Sequence, residues 1–295
     1  MMEPPAQNIP LKKPSWLTKR LSTGRNYDKV VKLLKECRLE TVCEQARCPN
    51  LGECFARGTA TFMILGGLCT RNCRFCAVAH GKPHPPNTEE PEKVAEAVKA
   101  LGLSYAVVTS VTRDDLPDGG AAHFAKTIVS IKAKNPATRV EVLIPDFRGS
   151  TDALKAVTDV SPNVLNHNLE TIPRLYQEVR PGADYQRSLA LLRSVKSIHP
   201  GMITKSGLML GLGETGSELR TVFNDLREAG CGALTLGQYL APSRDHHPVL
   251  RYVPPDEFFH WEQTAYDMGF KAVAAGPFVR SSFQAEDLFF RVGAA

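Results

Sequence analysis

Cys69-Thr70-Arg71-Asn72-Cys73-Arg74-Phe75-Cys76 follows directly on an apolar run, Thr61-Phe62-Met63-Ile64-Leu65-Gly66-Gly67-Leu68. The cysteines stand at C-x3-C-x2-C spacing. Three thiolates on one short loop can hold three irons of a [4Fe–4S] cube and leave the fourth iron without a protein ligand. An open metal position is where a substrate or cofactor binds, whereas a structural site is closed by its fourth ligand. A zinc knuckle lacking one ligand and a chance cluster are the competing readings. The apolar run reads as a strand whose C-terminal end carries the loop, which is where parallel α/β folds gather their functional residues.

Outward from that loop, short apolar runs alternate with helical stretches. Strand candidates are 61–66, 105–111, 139–144, 164–169, 204–210 and 233–239, with helices at about 91–101, 121–134, 151–157, 185–197, 216–229 and 255–268. Phe124, Ile128 and Ile131 fall on one side of the second helix at 3.6-residue spacing. Six βα units imply an α/β fold with a parallel sheet and helices outside it, curled by right-handed crossovers. Six strands are fewer than the eight of a closed TIM barrel. Ahead of them lies a segment rich in proline and basic residues, Leu11-Lys12-Lys13-Pro14-Ser15-Trp16-Leu17 and then Lys19-Arg20, where Trp16 between leucines suggests docking on the body. A helix is expected at about 27–37, with Tyr27, Val30, Val31, Leu33 and Leu34 on its apolar face. Another apolar run, Ala272 to Pro277, leads into Arg280-Ser281-Ser282-Phe283. The expected organisation is an N-terminal extension over 1–58, a barrel over 59–270 and a C-terminal extension over 271–295.

At 295 residues, 43% hydrophobic and 23% charged, the composition is that of an ordinary globular protein. No apolar run approaches the roughly 20 residues that span a bilayer, and Met1-Met2-Glu3-Pro4-Pro5 lacks the apolar core of a signal peptide. The eight cysteines are therefore expected to be free thiols in a reducing cytoplasm, available to metal. Seven of them lie between residues 37 and 76; Cys37 and the distant Cys231 read as packing residues. A net charge of +5, dispersed along the chain, argues against a nucleic-acid partner.

A second triplet, Cys43-Glu44-Gln45-Ala46-Arg47-Cys48-Pro49-Asn50-Leu51-Gly52-Glu53-Cys54, has C-x4-C-x5-C spacing. It fits neither zinc ribbons nor redox C-x-x-C pairs. Pro49, Asn50 and Gly52 indicate a turning loop that could bring three thiolates to one point. A second iron–sulfur cluster, a zinc site and three unrelated structural cysteines all stay open on spacing. Near the C-terminus, Ser282 followed by Gln284 to Asp287 reads as a helix N-cap with acidic first-turn residues.

The first loop resembles the signature of radical S-adenosylmethionine (SAM) enzymes, with Phe75 in the aromatic position before the last cysteine. The two triplets, Lys13-Pro14-Ser15-Trp16-Leu17 and Arg280-Ser281-Ser282 together are similar to the lipoyl synthase family over most of the chain. The resemblance implies a partial (β/α)6 TIM-type barrel whose open end is capped by the N- and C-terminal extensions. It implies a [4Fe–4S] cluster on Cys69, Cys73 and Cys76 whose free iron binds SAM. A second [4Fe–4S] cluster would be held by Cys43, Cys48, Cys54 and, as fourth ligand, Ser282. The tyrosine that follows this serine in the family is Phe283 here. A serine alkoxide is a harder, weaker partner for cluster iron than thiolate, so one iron can leave while the cysteines hold the rest. The implied activity is radical insertion of two sulfur atoms at C6 and C8 of an octanoyl chain, amide-linked to a lysine of a lipoyl domain or glycine-cleavage H protein. Two SAM molecules generate 5′-deoxyadenosyl radicals for it, and the second cluster is spent as sulfur donor. A ferredoxin- or flavodoxin-type reductant, a cluster-assembly or carrier protein and the octanoylated carrier domain are the implied partners, with no membrane. Lys12, Lys13 and Arg20 could meet an acidic carrier.

Polar residues at strand ends are the remaining candidates. By resemblance Phe75, Thr109, Ser110, Asn168, Glu170, Lys205 and Met209 contact SAM, and Arg113 and Arg280 contact SAM or substrate. Arg113 beside Asp114 and Asp115 reads equally as a surface ion pair, and His167 as a packed histidine or a ligand. Gly207, Gly211 and Gly213 would let the backbone approach a ligand. The adjacent His246 and His247 diverge and lack partners at ligand spacing, against a zinc site.

Overall fold

The computed structural model describes residues 11–19 and 24–294; Arg20 lies outside them. The opening helix, α1 (Arg25–Cys37), leads to β1 (Glu40–Thr41) and two short helices, α2 (Val42–Gln45) and α3 (Leu51–Ala56). Seven parallel strands then alternate with helices: β2 (Thr61–Ile64), α4 (Glu90–Leu101), β3 (Tyr105–Ser110), α5 (Ala121–Lys134), β4 (Arg139–Leu143), α6 (Thr151–Thr158) and β5 (Val164–Asn166). There follow α7 (Tyr176–Val179), α8 (Tyr185–Ile198), β6 (Ile203–Leu210), α9 (Gly216–Glu228), β7 (Ala233–Gln238), α10 (Pro255–Asp267), β8 (Ala272–Gly276) and α11 (Ala285–Ala294).

The sheet order is the chain order, β1 to β8, with β1 antiparallel to β2 and every later pair parallel. Among the described residues β1 and β8 do not pair, so the curled sheet is an open, partial barrel. The six expected strands are present. β8 is a seventh parallel strand, in register with β7 from Ala233↔Ala272 to Gly237↔Gly276. Both faces of β2 are buried, as a parallel sheet under helices requires. Phe62, Ile64, Val108, Val140 and Val142 meet Val94, Val98, Phe124 and Ile128 in the main core.

Alternate strand residues turn the other way, into the bore. Glu141 there accepts from Lys205 Nζ (2.8 Å), Tyr105 OH (2.6 Å) and Asn166 Nδ2 (3.3 Å). Beyond this polar layer α11 stops the bore: Leu288 and Val292 pack on Ala233 and Ala272, and Ala285 and Phe289 on Tyr105 and Val107. Tyr105, Ala233 and Ala272 open their strands, so α11 closes the N-terminal end and leaves the C-terminal end for chemistry. Of the N-terminal segment, Leu17 is the residue that docks, fully buried, while Trp16 stays 41% exposed. No helix among the described residues is long and apolar enough to cross a membrane.

Candidate active site

The Cys69–Cys76 loop leaves β2 through two left-handed residues, Leu65 (φ 70°) and Gly66 (φ 89°). A leucine is strained in that region, and both of its peptide groups are held: its N–H donates to Glu90 Oε2 (2.8 Å) and its carbonyl accepts from Arg113 Nη1 (3.1 Å). Arg113, 1% exposed, also makes two 2.8 Å bonds to Asp115. The loop is then tied to several strand ends. Thr70 N–H donates to Thr112 O, Arg74 N–H to Val179 O and His247 N–H to Arg74 O. His246 Nε2 donates to Cys76 O (3.1 Å). Arg71 spans Asp114 (2.7 Å) and Asp146 (2.7 Å), and Asp146 also takes Arg187 (2.8 Å). Burial raises the Asp146 carboxyl, but Arg71's hydrogen bonds and charge outweigh it and hold the group well below the usual carboxylate range.

The second triplet is more ordered than a turning loop. Thr41 Oγ1 caps α2 by accepting from Glu44 N–H (3.3 Å), which places Cys43 on that helix. Cys48 lies in the connection, its N–H donating to Cys43 O (3.0 Å), and Cys54 is on α3. Asn50 Nδ2 reaches across to Phe278 O (2.7 Å) in the turn after β8. That turn sits hard on the barrel: a Cβ at Gly237 would fall 2.1 Å from Val279 O, and one at Gly207 would meet Asn168 Oδ1 (2.9 Å) and Ser281 Oγ (3.0 Å). A Cβ at Gly207 would come still nearer to Thr235 Oγ1 (2.6 Å), so the chain's own side chains require glycine there, and at 211 it is Arg251 O, 2.3 Å from where a Cβ would be.

Both triplets open into one cavity of about 570 Å³ at the C-terminal ends of the strands. Cys43, Cys48, Cys54, Cys69, Cys73, Cys76 and Ser282 all line it, as do Phe75, Thr109, Ser110, Asn168, Glu170, Met209 and Arg280. Arg113 and Lys205 do not: the first braces Leu65 and Asp115, the second is spent on Glu141 in the bore. Ser282 belongs to the turn that precedes α11. Among the described residues its hydroxyl makes no capping bond, and Gln284 O takes the first α11 N–H, from Leu288 (3.2 Å). His246 and His247 brace the loop from outside through their bonds to Cys76 and Arg74.

The donor set fits two iron–sulfur clusters and a polar cofactor. Burial pushes Cys43 and Cys76 up to about 12 and Cys54 to about 11, and raises Cys73. Such thiols stay protonated at neutral pH until a cation displaces the proton. Among the described residues no three His, Cys, Asp or Glu side chains converge closely enough for one metal ion. A four-iron cube gives each thiolate its own iron and so needs a wider spacing. Ser110 Oγ, Asn168 Oδ1 and His167 Nε2 are buried in the cavity wall without a protein partner, the state of groups that a polar ligand completes. Burial lowers His167 to about 4, so it is neutral, with Nδ1 2.9 Å from Ile144 O. Glu170, left-handed at φ 65°, is held by bonds to Gly207 O (2.9 Å) and from Met209 N–H (2.8 Å), and burial raises its carboxyl. The spacing gave no hint of Arg180: it is half-buried beside Glu170 and Cys73, and its Nη1 donates to Asn168 O (3.0 Å) and Leu169 O (2.9 Å). Nor did it single out Arg71, whose partners lie 43 and 75 residues away.

The Radical SAM superfamily profile matches residues 63–226, and that of the N-terminal domain of lipoyl synthase matches 5–48. Lipoyl synthase of Nitrosomonas eutropha is 55% identical over 284 residues, 96% of this chain and 90% of that protein. Lipoyl synthase of Caldicellulosiruptor bescii is 56% identical over 277 residues, 94% of this chain and 95% of that one. Among solved structures, HydG, a maturase of the [FeFe]-hydrogenase, superposes with a TM-score of 0.57 at 17% identity, covering 91% of this chain and 67% of its own. Streptococcus suis SuiB bound to precursor peptide SuiA gives 0.55 at 10%, covering 81% and 49%. These two likenesses concern the partial barrel alone. Identity above one half along nearly the whole length goes further: the chain belongs to the lipoyl synthase family of the radical SAM superfamily.

Proposed function

We propose that this protein inserts two sulfur atoms into a protein-bound octanoyl chain, at C6 and C8, with SAM and two [4Fe–4S] clusters as cofactors. The observation that carries the reading is the meeting of both cysteine triplets and Ser282 in one cavity. When bound, SAM and the cluster on Cys69, Cys73 and Cys76 supply hydrogen abstraction from unactivated C–H bonds, and the cluster on Cys43, Cys48, Cys54 and Ser282 supplies sulfur. The chain contributes position and dryness.

Arg71, clamped by Asp114 and Asp146, fixes the backbone between Cys69 and Cys73 so that the three thiols keep their relative placement. Asn168 and Glu170 present oxygens to hydroxyls of a bound ligand, and Arg180 orients them through the carbonyls of Asn168 and Leu169. Met63, Leu143, Ile144, Val111 and Met209 give the cavity an apolar wall suited to an acyl chain. Lys13 lines the same cavity and supplies a cation to an acidic carrier domain. A low-potential reductant and a protein that restores the spent cluster complete the cycle, and a cytoplasmic setting suits its free thiols.

A single-turnover assay with an octanoyl-lysine peptide, SAM and a low-potential reductant under anaerobic conditions tests the reading. Thiolated peptide and 5′-deoxyadenosine are the expected products. Absence of both, from protein carrying its full iron, would overturn it.

A further inference from the structure

Lys19 belongs to the segment that precedes α1, yet its ammonium group sits between the second cysteine triplet and the turn that bears Ser282. On one side it donates to Glu53 Oε2 (2.7 Å) and to Asn50 Oδ1. On the other it lies 5.1 Å from the ring centroid of Phe278 and 5.0 Å from that of Phe283. These four partners bracket the site. Asn50 and Glu53 stand between Cys48 and Cys54, and Phe278 and Phe283 flank Arg280-Ser281-Ser282. Asn50 is 1% exposed and itself bonds Phe278 O (2.7 Å), so Lys19 closes a ring of contacts that Asn50 begins. From below, Asn168 Nδ2 donates to Ser281 Oγ (2.6 Å) and Gly237 receives Val279. The serine turn is thus held against the barrel by its underside and against the cysteines by Lys19 alone among the described ammonium groups.

We propose that Lys19 is a positioning residue for Ser282: it latches the serine turn to the Cys48–Cys54 segment and so sets how firmly the serine-held iron is retained. The proposal rests on the reading of Ser282 as an iron ligand. It also gives Phe283 a role that needs no hydroxyl, because an aromatic face is what an ammonium seeks. Half-buried ammonium–ring contacts and a charge-assisted bond to Glu53 are each modest. The latch therefore yields when the iron is drawn away, which a sacrificial cluster requires.

The test uses the full chain, reconstituted anaerobically, and follows iron released to a ferrous chelator. Lys19→Met is expected to release one iron per chain roughly threefold to tenfold faster than wild type, with the remaining iron unchanged. Lys19→Arg, which keeps both the charge and the ring contact, should stay within about twofold of wild type. Ser282→Ala should release that iron fast, and adding Lys19→Met to it should change nothing further. In the metal-free protein, hydrogen exchange of the 278–284 amides should quicken in Lys19→Met and in Phe283→Leu while β3 and β6 amides stay protected. Wild-type release and wild-type exchange in Lys19→Met would overturn the latch. So would equal acceleration by Lys19→Met in the Ser282→Ala background, since Lys19 would then act elsewhere. Wild-type release in Ser282→Ala would instead remove the ligand reading, and the latch with it.

Discussion

The two cysteine triplets share a cavity but are held in opposite ways. Cys69 to Cys76 is anchored to the ends of β2, β3 and β4, with Arg71 buried between two carboxylates and carbonyls taken by His246 and His247. Cys43 and Cys54 lie on helices of four and six residues with Cys48 in the connection between them, and Ser282, the proposed fourth ligand, arrives from more than two hundred residues away in an irregular turn. Short helices have little cohesion of their own. The first region is braced on several strand ends, the second on little more than its own short helices. On the proposed assignment, retention of one cluster and consumption of the other would follow from where the scaffold invests its buried contacts.

The largest effects separate the roles of the triplets. Cys73→Ala should abolish both 5′-deoxyadenosine and thiolated product, whereas Cys48→Ala should still cleave SAM and yield no sulfur insertion; product ratios by mass spectrometry decide it. If both variants lose SAM cleavage, the triplets are not separable. Ser282→Cys should assemble both clusters and form 5′-deoxyadenosine, yet stall before the second sulfur, because thiolate holds iron more firmly than alkoxide. Full turnover in that variant would make Ser282 a bystander. Arg71→Met should cost about 3 kcal/mol, the low end for a broken buried pair because Arg187 still faces Asp146. Denaturant unfolding of the metal-free chain measures it, and a loss below about 0.5 kcal/mol would mean the clamp is not where the first loop's rigidity lies. The smallest effect is in acid. Asp146 has a depressed folded pKa, so its stabilisation is complete above the unfolded carboxylate value of about 3.9 and fades as pH falls below it. The stability gap between wild type and Asp146→Asn should therefore hold down to about pH 4 and shrink progressively as the pH falls further.

Much of this was legible from the residues. Short apolar runs located β2 to β7, and cysteine spacing located both triplets. β8 was seen only as an apolar run because Ala272, Ala274, Ala275 and Gly276 have little strand propensity. β1, two residues long, carries no periodicity at all. The expected strands at 61–66 and 164–169 end early, at Ile64 and Asn166; the first does so because Leu65 turns left-handed where the chain enters the site. Lys205 looked like a strand-end group, but it lies near the start of β6 and its side chain faces the bore. Arg71, Arg180, His246 and Lys19 act through partners between 11 and 170 residues away. Nothing local in the sequence distinguishes them from surface charges.

The most direct test of the unequal scaffolds is the fate of labelled sulfur. Protein reconstituted with heavy sulfide, freed of unbound label and taken through one turnover in unlabelled buffer should give product with both sulfurs heavy. The iron lost should come from the Cys43, Cys48 and Cys54 set, while the cluster on Cys69, Cys73 and Cys76 keeps its spectrum. Product carrying light sulfur, or loss of both clusters together, would contradict the account.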